Sequence, residues 1–210
     1  MPLRRQFLLV AFSLTLCLAR AHAQPATADA PASADVRDAL QWVLEHDDHQ
    51  RRPFAIVDKK SARIHVYAGT GTPIGSTPVL LGVTPGDHGL SAPLGGRDPQ
   101  SLPAAERTTP AGRFETQPGR NLKGEAIVWL DYAAALAIHR LRPAAAREQR
   151  EQRIQSMRPD DHRISLGCVV VPVAFYEQVV APTLGSRPAV VYILPEMSPA
   201  ATLFARSEVP

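Results

Sequence analysis

Between Phe54 and Leu194 the apolar residues come in short runs, and nearly every run ends in Gly, Pro, Asp or Ser. That spacing leaves little room for long helices. Proline, 20 of 210 residues, stands well above its usual ~5%, and each one removes a backbone donor and disfavours a helix interior. Strand signals fall at residues 55–57, 63–67, 78–82, 126–130, 168–171 and 190–194. The second of these, Arg63-Ile-His-Val-Tyr67, alternates polar and apolar as a half-buried strand does. Residues 134–141 fit a helix by their alanines or a strand by Leu136, Ile138 and Leu141. Helix is expected at 36–45, capped by Asp35 with Leu40, Val43 and Leu44 on one face. A solvated helix is expected at 144–157, which is rich in Ala, Arg, Glu and Gln. A short one is expected at 173–180, opened by Pro172. The stretch 83–112, rich in Gly, Pro and Asp, reads as loop, and loops of that length are usually functional or mobile. The balance predicts a mostly-β sandwich or barrel with short helices.

The first 23 residues have the pattern of an export signal. Arg4 and Arg5 form a positive start, Phe7 to Leu18 an apolar run too short to span a bilayer, and Ala21-His22-Ala23 a small-x-small cleavage site. Arg4-Arg5-Gln6-Phe7-Leu8 also fits a twin-arginine signal, but the very apolar run favours the general secretory route. Residues 24–34 then read as a Pro/Ala-rich linker and 35–53 as a helix with its lead-in. Residues 54–196 read as the main folded domain and 197–210 as a loose tail. No later stretch is apolar and long enough to cross a membrane. A net charge of +3 fits contact with an anionic polymer or plain solubility equally. No basic patch carries interleaved aromatics, which argues against nucleic acid. Oligomeric state is not legible.

Of the two cysteines, Cys17 leaves with the signal, so Cys168 would be the lone thiol of an exported protein. Such a thiol is either reactive or a small buried hydrophobe. Its setting, Arg163-Ile-Ser-Leu-Gly-Cys-Val-Val-Val-Pro172, favours the first. Gly167 lets the chain turn sharply before Cys168, and N–H groups in such a turn can face a developing oxyanion. A thiol needs a base at neutral pH. His139, in Ala137-Ile-His-Arg140, is the candidate base, against a reading as a core histidine. His162 is the alternative base, in a run that looks like exposed loop; His65 and His88 read as surface residues. Ser165 either supports the site or shapes the turn. Arg163 either holds a substrate carboxylate or pairs with Asp160 or Asp161. No His/Cys/Asp/Glu grouping has metal-ligand spacing, and Leu94-Gly95-Gly96 lacks the context of a phosphate loop.

From Phe54 to Pro195 these features resemble the L,D-transpeptidase (YkuD-like) catalytic domain. The resemblance is carried by Ala55-Ile-Val-Asp-Lys-Lys60 with Ile64-His-Val-Tyr67, then Thr108-Thr-Pro-Ala-Gly-Arg-Phe114. Ile138-His139 and Ser165-Leu-Gly-Cys168 complete it in order. It implies a YkuD-like β-sandwich with short helices, an exported, periplasmic enzyme, no cofactor or metal, and peptidoglycan stem peptides as partner. It implies Cys168 as nucleophile and His139 as base, its ring oriented by the carbonyl of Arg140. Leu166, Gly167 and Ser165 would be oxyanion or supporting residues, and Arg163 a substrate-binding residue. Departures from the family pattern are Leu166 where histidine is usual, Val170 where Asn or Arg is usual, and a longer base-to-nucleophile interval occupied by 144–157. The nearest subgroup has Tyr at the position of Leu166. Rival readings are a degenerate wall-binding member and a cysteine peptidase or L,D-carboxypeptidase.

Overall fold

The computed structural model describes residues 31–90 and 93–205. The expected export signal, residues 24–30 of the expected linker and the last five residues lie outside them. Ser33, not Asp35, caps the first helix, α1 (Ala34–Glu45). Its Oγ accepts from the Val36 N–H at 3.2 Å, while Asp35 is already inside the first turn. The buried stripe is Val36, Ala39 and Val43, so the helix is rotated from the expected Leu40/Val43/Leu44 face.

Eleven strands follow: β1 (Phe54–Asp58), β2 (Arg63–Tyr67), β3 (Pro73–Pro78), β4 (Leu81–Gly82), β5 (Gly112–Glu115), β6 (Gln117–Arg120), β7 (Ala126–Asp131), β8 (Leu136–Arg140), β9 (Arg163–Ser165), β10 (Val169–Val171) and β11 (Val190–Ile193). They form a five-stranded sheet ordered β3-β2-β1-β11-β5, a four-stranded sheet ordered β10-β8-β7-β6, and the pair β4-β9. The fold is mostly β with short helices.

The period of two in each strand decides what packs where. Ala55 and Val57 of β1 and Val191 and Ile193 of β11 face the core between the sheets. There they meet Val128, Leu130, Ile138, Val169 and Val171 of the second sheet. The alternate residues Phe54, Ile56, Val190 and Tyr192 face the other way, under α1. The first sheet is therefore covered on both faces. That is why His65, expected at the surface, is buried, while His88 is exposed.

The expected strand 78–82 is split. Pro78 has no N–H for the ladder, and the chain leaves the first sheet there. Leu80 then exchanges hydrogen bonds with Val170 (2.8 and 2.9 Å), and Leu81–Gly82 pairs with β9. The ambiguous 134–141 is a strand, because a tight turn delivers it antiparallel to β7: Asp131 Oδ1 accepts from the Ala134 N–H at 3.0 Å. The expected helix 144–157 is shorter and broken. A 3₁₀ turn (Ala146–Glu148) and α2 (Arg150–Gln155) are separated by Gln149 in the left-handed region at φ +48°. The helix after Pro172 runs further than expected, as α3 (Val173–Phe175), a π-helical turn (Tyr176–Val180) and α4 (Ala181–Leu184). The segment after Glu196 is not loose as far as Ala205. It ends in α5 (Thr202–Ala205), whose Phe204 stacks on Trp42 of α1 with ring centroids 4.4 Å apart. Among the described residues no helix is long and apolar enough to cross a membrane.

Candidate active site

The candidate site lies on the outer face of the second sheet, and strand parity puts it there. Ile138 and Val169 point into the core, so His139 on β8 and Val170 on β10 point outward. β8 and β10 run parallel, with Val170 opposite His139. Cys168 lies two residues before Val170 and shares its face. The nucleophile candidate, in the turn that enters β10, and the base candidate on β8 thus sit on one side of the sheet. Both line a cavity of about 320 Å³, together with Trp129, Leu166, Arg142 and Arg150.

The turn before Cys168 is held from several sides. Gly167 has φ +128°, a conformation for glycine, and a Cβ there would come 3.1 Å from the Thr108 carbonyl oxygen. The Ser165 hydroxyl donates to the Cys168 carbonyl (2.7 Å) and accepts from the Gly167 N–H (3.1 Å). The Gly167 N–H, expected to face an oxyanion, is therefore already engaged. The buried Thr109 hydroxyl donates to the Gly167 carbonyl (2.7 Å) and accepts from the Gly82 N–H (2.8 Å). Nothing in the motif pattern gave Thr109 this part, although it lies inside the Thr108–Phe114 signature. Leu166 is half-buried against the cavity and brings no donor from its side chain.

His139 is buried, and its Nδ1 lies 2.8 Å from the Arg140 carbonyl oxygen. A carbonyl can only accept, so Nδ1 carries the proton and Nε2 of the neutral ring is the free base. Burial, and then the positive charge of Arg142, hold the His139 pKa down at about 4. Burial pushes the Cys168 thiol up, and its Sγ donates to the Ala135 carbonyl at 3.3 Å. At neutral pH the pair at rest is thiol and neutral imidazole.

Two residues expected near the site are elsewhere. Arg163 pairs with Glu196 and donates to the Lys59 carbonyl (3.1 Å), not with Asp160 or Asp161, and it does not line the cavity. β9 is paired on β4, and that register turns the side chain toward the β1–β2 turn. His162, expected on an exposed loop, is buried. Its ring nitrogens are taken by the Val79 and Ser156 carbonyls at 2.9 and 3.0 Å, which makes it a brace for the 3₁₀ turn ahead of β9. Among the described residues no group of His, Cys, Asp or Glu is placed to hold a metal ion.

No protein-family model matches the chain, and a search of curated proteins finds no match either. Solved structures resemble it at low identity. One is the L,D-transpeptidase LdtMt1 in complex with imipenem: 14% identity, 68% of this chain over 58% of that one, TM-score 0.39. Another is the catalytic domain of the E. faecium L,D-transpeptidase: 16% identity, 69% of this chain over 98% of that one, TM-score 0.41. A third is the helical cell shape determining protein Pgp2 from Campylobacter jejuni: 14% identity, 75% over 55%, TM-score 0.45. The chain spans a little over half of the first of these.

Proposed function

We propose that the chain is a cysteine acyltransferase of the L,D-transpeptidase type, acting on peptidoglycan stem peptides after export. One observation carries this reading. His139 on β8 and Cys168, at the entry to the adjacent parallel strand β10, line the same cavity, with the imidazole held in the tautomer that leaves Nε2 free to accept a proton.

The chemistry follows from that arrangement. As the peptide carbonyl is approached, the thiol proton passes to His139 Nε2 and the sulfur bonds to the carbonyl carbon. The C–N bond then breaks, the imidazolium gives its proton to the leaving amine, and a thioester remains on Cys168. A second stem's side-chain amine attacks the thioester and frees the thiol, leaving a 3-to-3 crosslink. Water in the same role gives an L,D-carboxypeptidase. The Gly167 N–H is engaged by Ser165, so the oxyanion would be met by another main-chain donor of the 166–168 turn.

A second reading has its own support: a member that binds wall peptides without turnover. Leu166 supplies no donor to the cavity, and the Cys168 thiol bonds a carbonyl rather than the histidine. Incubation with defined tetrapeptide muropeptides, read by mass spectrometry, separates the readings. A 3-to-3 dimer that disappears in Cys168→Ala supports the transpeptidase and a tripeptide supports the carboxypeptidase. An unchanged tetrapeptide overturns acyl transfer.

A further inference from the structure

Arg142 lies just beyond β8, and Arg150 opens α2; both line the cavity that holds Cys168 and His139. Neither is a surface residue trailing in solvent, with side chains 31% and 20% exposed. A carboxylate stands close to each Nε, although Arg142 Nε is left without a hydrogen-bond partner among the described residues. Arg142 Nε lies 2.8 Å from Glu125 Oε2, and Arg150 Nε lies 2.6 Å from Glu148 Oε2. The terminal nitrogens of both guanidinium groups are taken by no acceptor among the described residues. Those are the nitrogens that form the fork matching a carboxylate. Glu125 is itself shared with the Asn121 amide at 2.6 Å.

We propose that Arg142 and Arg150 form an anion subsite in the wall of the Cys168 cavity, which takes a free carboxylate of a bound peptide. The identity of that peptide as an acyl donor rests on the acyl-transfer reading above; the subsite itself does not. Its position answers the question left by Arg163, whose guanidinium is spent on Glu196 away from the cavity. It also gives the lengthened interval between His139 and Cys168 a task, since both arginines lie within it. Charge supports the assignment: both arginines reach His139 electrostatically, and Arg142 also reaches Cys168. A carboxylate seated on them would lie beside the reacting groups rather than at the rim. The subsite selects donors with a free carboxylate close to the attacked carbonyl over the same peptides amidated there.

The test needs no turnover. Iodoacetate and iodoacetamide alkylate a thiolate in the same way: the S–C bond forms, the C–I bond breaks, and iodide leaves. They are nearly equal in size and differ in charge. The rate of each at Cys168 is measured on the full chain by mass spectrometry of the Cys168 peptide, which separates it from Cys17. The ratio of the two rates cancels any change in thiolate fraction caused by removing a positive charge. Arg142→Gln and Arg150→Gln should each lower the iodoacetate-to-iodoacetamide ratio by about threefold or more. Glu125→Gln, which removes a competing carboxylate, should raise it. Arg187→Gln, on the exposed loop before β11, should leave it unchanged. An unchanged ratio in both cavity variants overturns the subsite, as does an equal fall in Arg187→Gln. Should Arg142→Gln fail to fold by circular dichroism, Arg150→Gln decides alone. If muropeptides are never turned over while the ratio behaves as expected, acyl transfer falls and the subsite stands. If turnover is seen with a flat ratio, the subsite falls alone.

Discussion

At His139 burial and charge act together on one residue. Its pKa of about 4, against an ordinary 6.5, means that the folded protein resists protonating it. Above pH 6.5 the ring is neutral in folded and unfolded chains alike, and there is no penalty. Between 6.5 and about 4 the unfolded chain takes up a proton that the folded one refuses, so stability falls as pH falls. Below about 4 both are protonated and the loss levels off at about 3 kcal/mol. His139→Gln should therefore remove that part of the acid loss, seen as a flatter plot of urea-unfolding free energy against pH from 7 to 4. Equal slopes in the two proteins would show that the ring is not buried neutral. The same numbers describe the chemistry: a base this weak at rest leaves Cys168 as a thiol until substrate arrives. Cys168 and His139 were legible because a turn glycine, an unpaired thiol and an apolar-flanked histidine are local patterns. Arg142 and Arg150 were not, because nothing local distinguishes an arginine that lines a cavity from one on a solvated helix.

Among the elements, the crossing at Thr109 ties three of them to the turn before Cys168. Its hydroxyl connects the Gly82 N–H at the end of β4 to the Gly167 carbonyl between β9 and β10. Thr109→Val keeps the shape but leaves both buried main-chain groups without partners, at about 1–3 kcal/mol each. The urea midpoint should fall with little change in m, and turnover of any substrate should fall further than stability alone accounts for. If the midpoint does not move, the hydroxyl is not a connector. Five of the eleven strands were read from periodicity, since β1, β2, β7, β10 and β11 fall on or within a residue or two of the expected runs, whereas β3, β5, β6 and β9 were not expected. Errors came where partners from far along the chain override local pattern. His65 is buried because α1 covers the second face of its sheet. Residues 78–82 split because Val170 claims Leu80, and His162 is buried because the Val79 and Ser156 carbonyls accept it. No window along the sequence contains those partners.

Across the whole molecule, one buried cluster joins segments far apart in the chain. Lys59, fully buried in the β1–β2 turn, bonds Asp87 Oδ1 and the Thr109 carbonyl, each at 3.0 Å, and lies 3.5 Å from Glu196. Asp87 in turn accepts from the Glu196 and Met197 N–H groups, at 2.7 and 3.1 Å. Burial pulls the lysine's pKa down, and the two carboxylates push it back up. Lys59→Met would leave Asp87 largely buried without its cation, while Glu196 keeps Arg163, a change that costs about 3–5 kcal/mol. It should lower the melting temperature by many degrees and open residues 83–112 to proteases before the rest of the chain. Uniform protease resistance would count against the clamp. The largest non-local commitment is β11, which lies between β1 and β5 in the middle of the first sheet. A chain ended after Pro188 should be digested along its whole length by a dilute protease, whereas one ended after Ala205 should resist like the full chain. The order of events during synthesis follows from that insertion. The thiol, the histidine, the paired arginines and the turn that presents them are all made before Val190. Yet the strand that closes the sheet beneath them comes after all of them. Until Ile193 is added, β1 and β5 offer unpaired edges to anything nearby, so a chain that stops short of β11 is open to chaperones and proteases.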